Sequence, residues 1–227
     1  MRILLLSDTH GKHKNIPKEW LVPADVIIHA GDISNMGYLD ELESFYKWYD
    51  SLDYTHKIFI AGNHDWGHQT KPKDVTEIMK DYPSITYLED SSVTIDGVEI
   101  FGSPWQPEFY NWSFNLPRGE KLQEKWDAIP KSTSILVTHG PVAGILDMAP
   151  DGRFVGCENL LETIKNKLNI KMHVCGHIHC AAGNLYKDGV LYVNAATLNE
   201  RYTVQYRPTL VDYDTELGVA SVIEQKY

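Results

Sequence analysis

Ile3-Leu4-Leu5-Leu6-Ser7-Asp8-Thr9-His10 opens the chain with an apolar run that stops abruptly at an acid and a histidine. A short aliphatic run cut off by polar residues has the form of a buried strand ending in a turn. The pattern recurs. Val26-Ile27-Ile28 leads to Gly31-Asp32, Ile58-Phe59-Ile60 to Gly62-Asn63-His64-Asp65, Ile135-Leu136-Val137 to Thr138-His139-Gly140, and Met172-His173-Val174 to Gly176-His177-Ile178-His179. In open α/β sheets, ligands gather outside the carboxyl ends of the strands. Strand ends that all carry Asp, Asn or His therefore point to one shared site.

Between and beyond these runs the spacing predicts helices and hairpins. Over 38–52, Leu39, Leu42, Phe45, Tyr46 and Tyr49 share one helical face, with Asp40, Glu41 and Glu43 outside. A short helix is expected over 75–80, and another over 157–168 with Leu160, Leu161, Ile164 and Leu168 inward. Asp96-Gly97 and Asp188-Gly189 each sit between strand-like runs, which is a tight-hairpin signal. Pattern alone gives an α/β chain, read as one domain over 1–227.

Bulk properties narrow the function. The 227 residues are 43% hydrophobic and 23% charged, the composition of a globular protein with a substantial core. A formal net charge of -10 argues against long nucleic acid and against an anionic membrane as partners. It does not exclude a phosphate substrate, because bound cations dominate a local field. The N-terminal apolar run is too short for a leader or a membrane span. Cys157, Cys175 and Cys180 are an odd number and read as free thiols in a reducing, cytoplasmic setting.

The motifs D-x-H (Asp8, His10), G-D (Asp32), G-N-H-D (Asn63 to Asp65), H-G (His139) and G-H-x-H (His177, His179) resemble the calcineurin-like dimetal metallophosphoesterase signature. Gly102-Ser103-Pro104-Trp105, Trp112, Phe114-Asn115-Leu116-Pro117-Arg118-Gly119 and Val155-Gly156-Cys157 resemble its metallophosphoesterase-domain-containing (MPPED-type) branch. The resemblance implies a four-layer α/β/β/α sandwich of two mixed β-sheets flanked by helices. It implies two divalent transition metal ions. Asp8, His10, Asp32 and His179 would hold the first, and Asp32, Asn63, His139 and His177 the second, with Asp32 shared. His64 would be a general acid rather than a ligand, and Asp65 would hydrogen-bond its ring. Mixed N and O ligation suits Mn first, with Fe, Zn, Ni or Co also fitting, and suits Ca poorly.

Such a site answers a chemical difficulty. A phosphate ester repels nucleophiles and has a poor leaving group. Two dications about 3.5–4 Å apart neutralise it, orient it and supply hydroxide at neutral pH. Asp8 and Asp32 bring two negative charges against two dications, so the centre stays electrophilic. The implied activity is a phosphodiesterase acting on small (cyclic) nucleotides or similar diesters. The alternatives are a phosphomonoesterase or phosphoprotein phosphatase on the same centre, or a weakly active nucleotide-binding protein. A small phosphate ester is the expected partner, and a homodimer is left open.

Asn63, His64, Asn115 and Arg118 are the candidates for substrate contact. The aromatic segment 103–119 is weighed as a pocket wall against a loop pinned by its own rings. The glycines before Asp32, Asn63 and His177 are read as permitting tight turns. His29 and His173 are expected to be satisfied structural histidines, and His13, His56 and His68 surface ones. Asn194 is weighed as a hydrogen-bonding group near the cluster against a strand-end turn, and the turn is favoured.

Overall fold

The computed structural model describes residues 1–224, and among them the strands form two six-stranded mixed sheets. The first contains β1 (Arg2–Leu6), β2 (Val26–Ala30), β3 (His56–Ile60) and β4 (Ile85–Tyr87). The second contains β5 (Ser91–Ile95), β6 (Val98–Ser103), β9 (Ile135–Thr138), β10 (Met172–Cys175), β11 (Gly183–Lys187) and β12 (Val190–Asn194). Between β6 and β9 the short strands β7 (Gln106–Pro107) and β8 (Asn115–Leu116) pair with each other. The chain then returns through β13 (Thr209–Asp214) and β14 (Val219–Val222) to complete the first sheet, whose order is β14-β13-β1-β2-β3-β4. The second runs β11-β12-β10-β9-β6-β5. The second sheet has a parallel centre and antiparallel margins on both sides, whereas the first is antiparallel only at its β13–β14 side and parallel from β1 out to its β4 edge.

Strand periodicity sets the layers. Alternate side chains point to opposite faces, so Ile3 and Leu5 join the core between the sheets while Leu4 and Leu6 join the outer one. Ile58 and Ile60 against Phe59, and Ile135 and Val137 against Leu136, divide in the same way. Runs that are apolar on both faces are what a covered parallel sheet needs. Helix α1 (Leu39–Asp50) lays Leu42, Phe45, Tyr46 and Tyr49 on the first sheet. After the short α2 (Trp66–Thr70), α3 (Pro72–Met79) adds Val75 to the same face. On the far side α4 (Glu120–Asp127) and α5 (Glu158–Lys167) cover the second sheet with Leu122, Trp126, Leu160 and Ile164. The result is the expected α/β/β/α stack. Both Asp-Gly hairpins form, with left-handed φ at Asp96 (49°), Gly97 (79°), Asp188 (52°) and Gly189 (79°).

Two histidines assigned to the surface are instead interior. His13 is 1% exposed, with its ring 5.0 Å from that of Trp48, and His68 is 2% exposed with Nε2 2.8 Å from the Tyr46 hydroxyl. Each lies in a polar stretch that a neighbouring aromatic helix covers, which local pattern does not reveal. His56 is partly exposed. His29 and His173 are buried and partnered by Thr9 and Thr138 hydroxyls at 3.0 and 2.8 Å.

Candidate metal centre

The carboxyl ends of the parallel strands in both sheets converge, and the sheets are stitched there. Ser7, just past β1, bridges Ala196, just past β12. His177 N donates to the Asp8 carboxylate at 3.0 Å, and Thr197 N donates to Ser7 O at 2.9 Å. These contacts bring Asp8, His10, Asp32 and Asn63 from the first sheet against His139, His177 and His179 from the second.

Three sets of potential ligand atoms each lie within 4.8 Å of one another: those of Asp8, His10 and His179, those of Asp32, His139 and His177, and those of His10, Asp32 and His64, the last including a histidine not expected among the ligands. His10 Nε2 is 3.2 Å from His179 Nε2, and His139 Nε2 is 3.0 Å from Asn63 Oδ1. Asp32 Oδ2 stands between the groups, 3.3 Å from His139 Nε2 and 3.7 Å from His10 Nε2. Backbone carbonyls aim two of the rings: His139 Nδ1 is 2.9 Å from Ala30 O, and His179 Nδ1 is 3.0 Å from Asn199 O. A ring that donates through Nδ1 turns the Nε2 lone pair inward, as a metal-ligating histidine requires.

Close approach, more than turning, explains the glycines. Gly31 alone among the three has a left-handed φ, 98°. A Cβ there would lie 2.5 Å from His139 Nδ1 and 2.8 Å from Ala61 O. On Gly62 it would run into the Asp32 carboxylate, and on Gly176 into the Asp8 carboxylate and the Ser7 hydroxyl. The left-handed strain falls on the polar residues themselves: Asp8 (54°), His10 (42°), Asp32 (54°) and His177 (67°). Non-glycine residues hold such angles only where their surroundings over-determine them.

The electrostatics match a cation site. Burial pushes His177 down to about 3 and His10 down to about 4, so both rings are neutral donors. Burial also disfavours charge on His139 and His179, but the Asp32 and Asp8 carboxylates and the carbonyls raise both to about 9. Burial would raise Asp32, yet His139, His64 and His10 hold it well below the usual carboxylate range. Two protons thus balance two buried carboxylates where cations would otherwise do so. The donor set fits divalent transition metals.

The other expected residues sort differently. His64 is half-buried beside the cluster, its backbone N donating to Asp32 Oδ1 at 2.8 Å. Its Nδ1 is 2.6 Å from Asn35 O, and not on Asp65 as expected. Asp65 is buried and accepts from Gly62 N, Ile33 N, Ser34 N and the Ser34 hydroxyl. It ties the β2 and β3 loops together, because four convergent donors outcompete one ring. Asn115 is engaged within its own loop: Nδ2 donates to Phe109 O at 2.8 Å and Oδ1 accepts from Gln106 Nε2 at 3.2 Å. Arg118 donates to Val155 O, Gly156 O and Glu158, pinning the start of α5.

Segment 103–119 divides between wall and core. Residues 106–110 line a cleft of about 570 Å³ that begins at His177. Trp112 lies on the His64 ring with centroids 4.2 Å apart, whereas Phe114 is fully buried against Trp105. Sequence reasoning missed Tyr202, whose ring stands 4.7 Å from His10 and 5.4 Å from His179. Asn194 also does more than turn a strand end, since its Nδ2 donates at 2.9 Å to Ile178 O, between His177 and His179. No motif marks Tyr202. Asn199, whose side chain accepts from Arg201 N and Thr203 N, is an Asx turn that could have flagged this loop.

A buried set of carboxylates and imidazoles at the joined ends of two stacked sheets defines the class, a divalent-cation centre in an α/β/β/α sandwich. Comparison with known proteins specifies it. The calcineurin-like phosphoesterase family matches residues 1–181. Metallophosphoesterase domain-containing protein 1 of Homo sapiens and that of Mus musculus are each 38% identical to this chain, over 94% of it and 71% of the relative. Among solved structures, TT1561 of Thermus thermophilus aligns with a TM-score of 0.67 at 13% identity, covering 97% of both chains. A protein described as a novel archaeal phosphodiesterase aligns with a TM-score of 0.51 at 20% identity, over 98% of this chain and 99% of that one. The chain belongs to the calcineurin-like phosphoesterase family, in kinship with the metallophosphoesterase-domain-containing branch. It is a metal-dependent phosphoesterase of that family. No helix among the described residues is long and apolar enough to cross a membrane.

Proposed function

We propose that the protein hydrolyses phosphodiesters, such as small or cyclic nucleotides, on two divalent ions. Asp8, His10, Asp32 and His179 would hold one ion and Asp32, Asn63, His139 and His177 the other; the N and O donors suit manganese, our first choice, and equally iron, zinc, nickel or cobalt. The observation that carries the diester reading is charge. A monoester dianion calls for free guanidinium groups. Arg118 and Arg153, the two arginines lining the adjoining cleft, are already paired with Glu158 and Asp151. The fold likeness to an archaeal phosphodiesterase agrees with this reading. Free Cys157, Cys175 and Cys180 agree with a reducing, cytoplasmic setting.

The ions, when bound, neutralise the phosphate and activate water. The chain does the rest. Carbonyls of Ala30 and Asn199 keep the His139 and His179 rings turned inward. His64 donates Nδ1–H to Asn35 O, which leaves Nε2 to carry the proton given to the departing oxygen. Trp112 flanks that ring. Turnover of a nitrophenyl diester and of nitrophenyl phosphate under saturating Mn²⁺ tests the proposal. The diester should win by at least an order of magnitude. A monoester preference would contradict it and favour a phosphatase.

A further inference from the structure

The cleft beside His177 is larger than a phosphate needs, and its chemistry is selective. Its volume of about 570 Å³ falls in the range of sites that enclose a small organic ligand. Phe109 stands at its inner end, ring centroid 5.0 Å from that of His177. Pro141 and Val155 continue the apolar wall, and Tyr110, 91% exposed, stands at the mouth. One buried polar atom in this lining has no partner. Gln106 is 2% exposed; its Nε2 donates to Asn115 Oδ1, while its Oε1 accepts nothing. A buried acceptor left unmade is costly unless a ligand satisfies it. The charged lining does not favour a second anion, since Arg118 and Arg153 each face a carboxylate and Glu108 adds negative charge.

Resting on the diesterase reading, we infer that this cleft receives the retained arm of the diester, the group still attached to phosphorus after cleavage. That arm is a flat or apolar group without further negative charge, and one hydrogen-bond donor on it pairs with Gln106 Oε1, which is closed off in the free protein and turns toward the cleft when the arm binds. His177 joins cleft to cluster, so an arm seated on Phe109 keeps its phosphate at the metal donors. His64 and Trp112, beside His10, are left to the departing arm. Specificity would then come from Gln106 and Phe109 and not from Asn115 or Arg118, whose polar groups are engaged by the protein.

Three diesters with one leaving group test this: nitrophenyl phosphates whose second ester is methyl, phenyl or 3-hydroxyphenyl. The phenyl ester should exceed the methyl ester in kcat/KM by about 10-fold or more, as expected for filling an apolar pocket. The hydroxyl should add a further factor of about 5 for one hydrogen bond. Phe109→Ala should collapse the phenyl-to-methyl ratio toward one. Gln106→Leu should remove the hydroxyl advantage and keep the phenyl one. Equal rates for methyl and phenyl in the wild-type protein would overturn the inference. Failure of the diesterase reading looks different, as no turnover of any of the three. The comparison then passes to equilibrium binding of phenylphosphonate against methylphosphonate by the Mn²⁺-loaded protein. Equal affinities there, or a preference untouched by Phe109→Ala in a variant of unchanged melting temperature, would also overturn it.

Discussion

His64 shows how much of this site depends on one ring nitrogen. It neighbours Asn63 in sequence, yet its Nδ1 is held by Asn35 O and its face by Trp112. His64→Ala should keep both metals and lose a factor of about 10²–10⁴ in turnover of a diester with an alkoxide leaving group. A nitrophenolate leaving group, which needs no proton, should suffer much less. Equal losses for the two would assign His64 to positioning instead. Residue types at this scale were legible in the sequence: the histidines, carboxylates and Asn63 of the cluster all come from motifs, and the structure brings them together. Their partners were not. The carbonyls of Ala30, Asn35 and Asn199 are backbone atoms with no signature in residue identity. For the same reason adjacency in sequence pairs Asp65 with His64, when Gly62, Ile33 and Ser34 take it.

Strands were legible because burial on both faces writes a continuous apolar run, and the Asp-Gly turns because left-handed φ favours those residues. What escaped were contacts between elements distant in sequence. The β12 end is the clearest case: Asn194 reaches back to Ile178 O and so sets the loop that presents His177 and His179. Asn194→Ala should weaken metal binding about 10–100-fold, the usual effect of losing a support behind the ligands. It should cost only about 1–3 kcal/mol of stability for the lost buried bond. Metal affinity by competitive chelation, read beside the melting temperature, checks this. Unchanged affinity would demote Asn194 to a strand-end role. Gly176→Ala is the harsher probe, since its Cβ collides with the Asp8 carboxylate. That variant should keep the two sheets, by circular dichroism, and lose the first ion.

The whole molecule carries several buried neutral histidines, and this makes it sensitive to acid. Burial lowers His29, His68 and His173 to about 3 each. Unfolded imidazoles titrate near 6.5, so the unfolded chain binds more protons below that pH. Stability is therefore full above about 6.5 and falls as pH drops toward 3, at about 1.4 kcal/mol per group per pH unit. Asp65, raised to about 6 by burial and by Asp32, takes its proton first in the native state and offsets one group below that pH. The metal-free protein should lose on the order of 10 °C in melting temperature between pH 7 and 5. A flat profile would mean these rings reach water. Unfolding is expected as one transition, since 1–227 is proposed as a single domain. Metal uptake runs the other way in protons: His139 and His179, held at about 9, must release theirs, so affinity should rise with pH through neutrality. All of this rests on two cations gathered from both sheets around Asp32. The most direct test is metal content per chain after Mn²⁺ loading and gel filtration, in the wild-type protein and in Asp32→Ala. The account predicts two ions in the wild type, about 3.5–4 Å apart by anomalous diffraction, and neither retained in Asp32→Ala. Two tightly bound ions in Asp32→Ala, or a single ion in the fully loaded wild type, would contradict it.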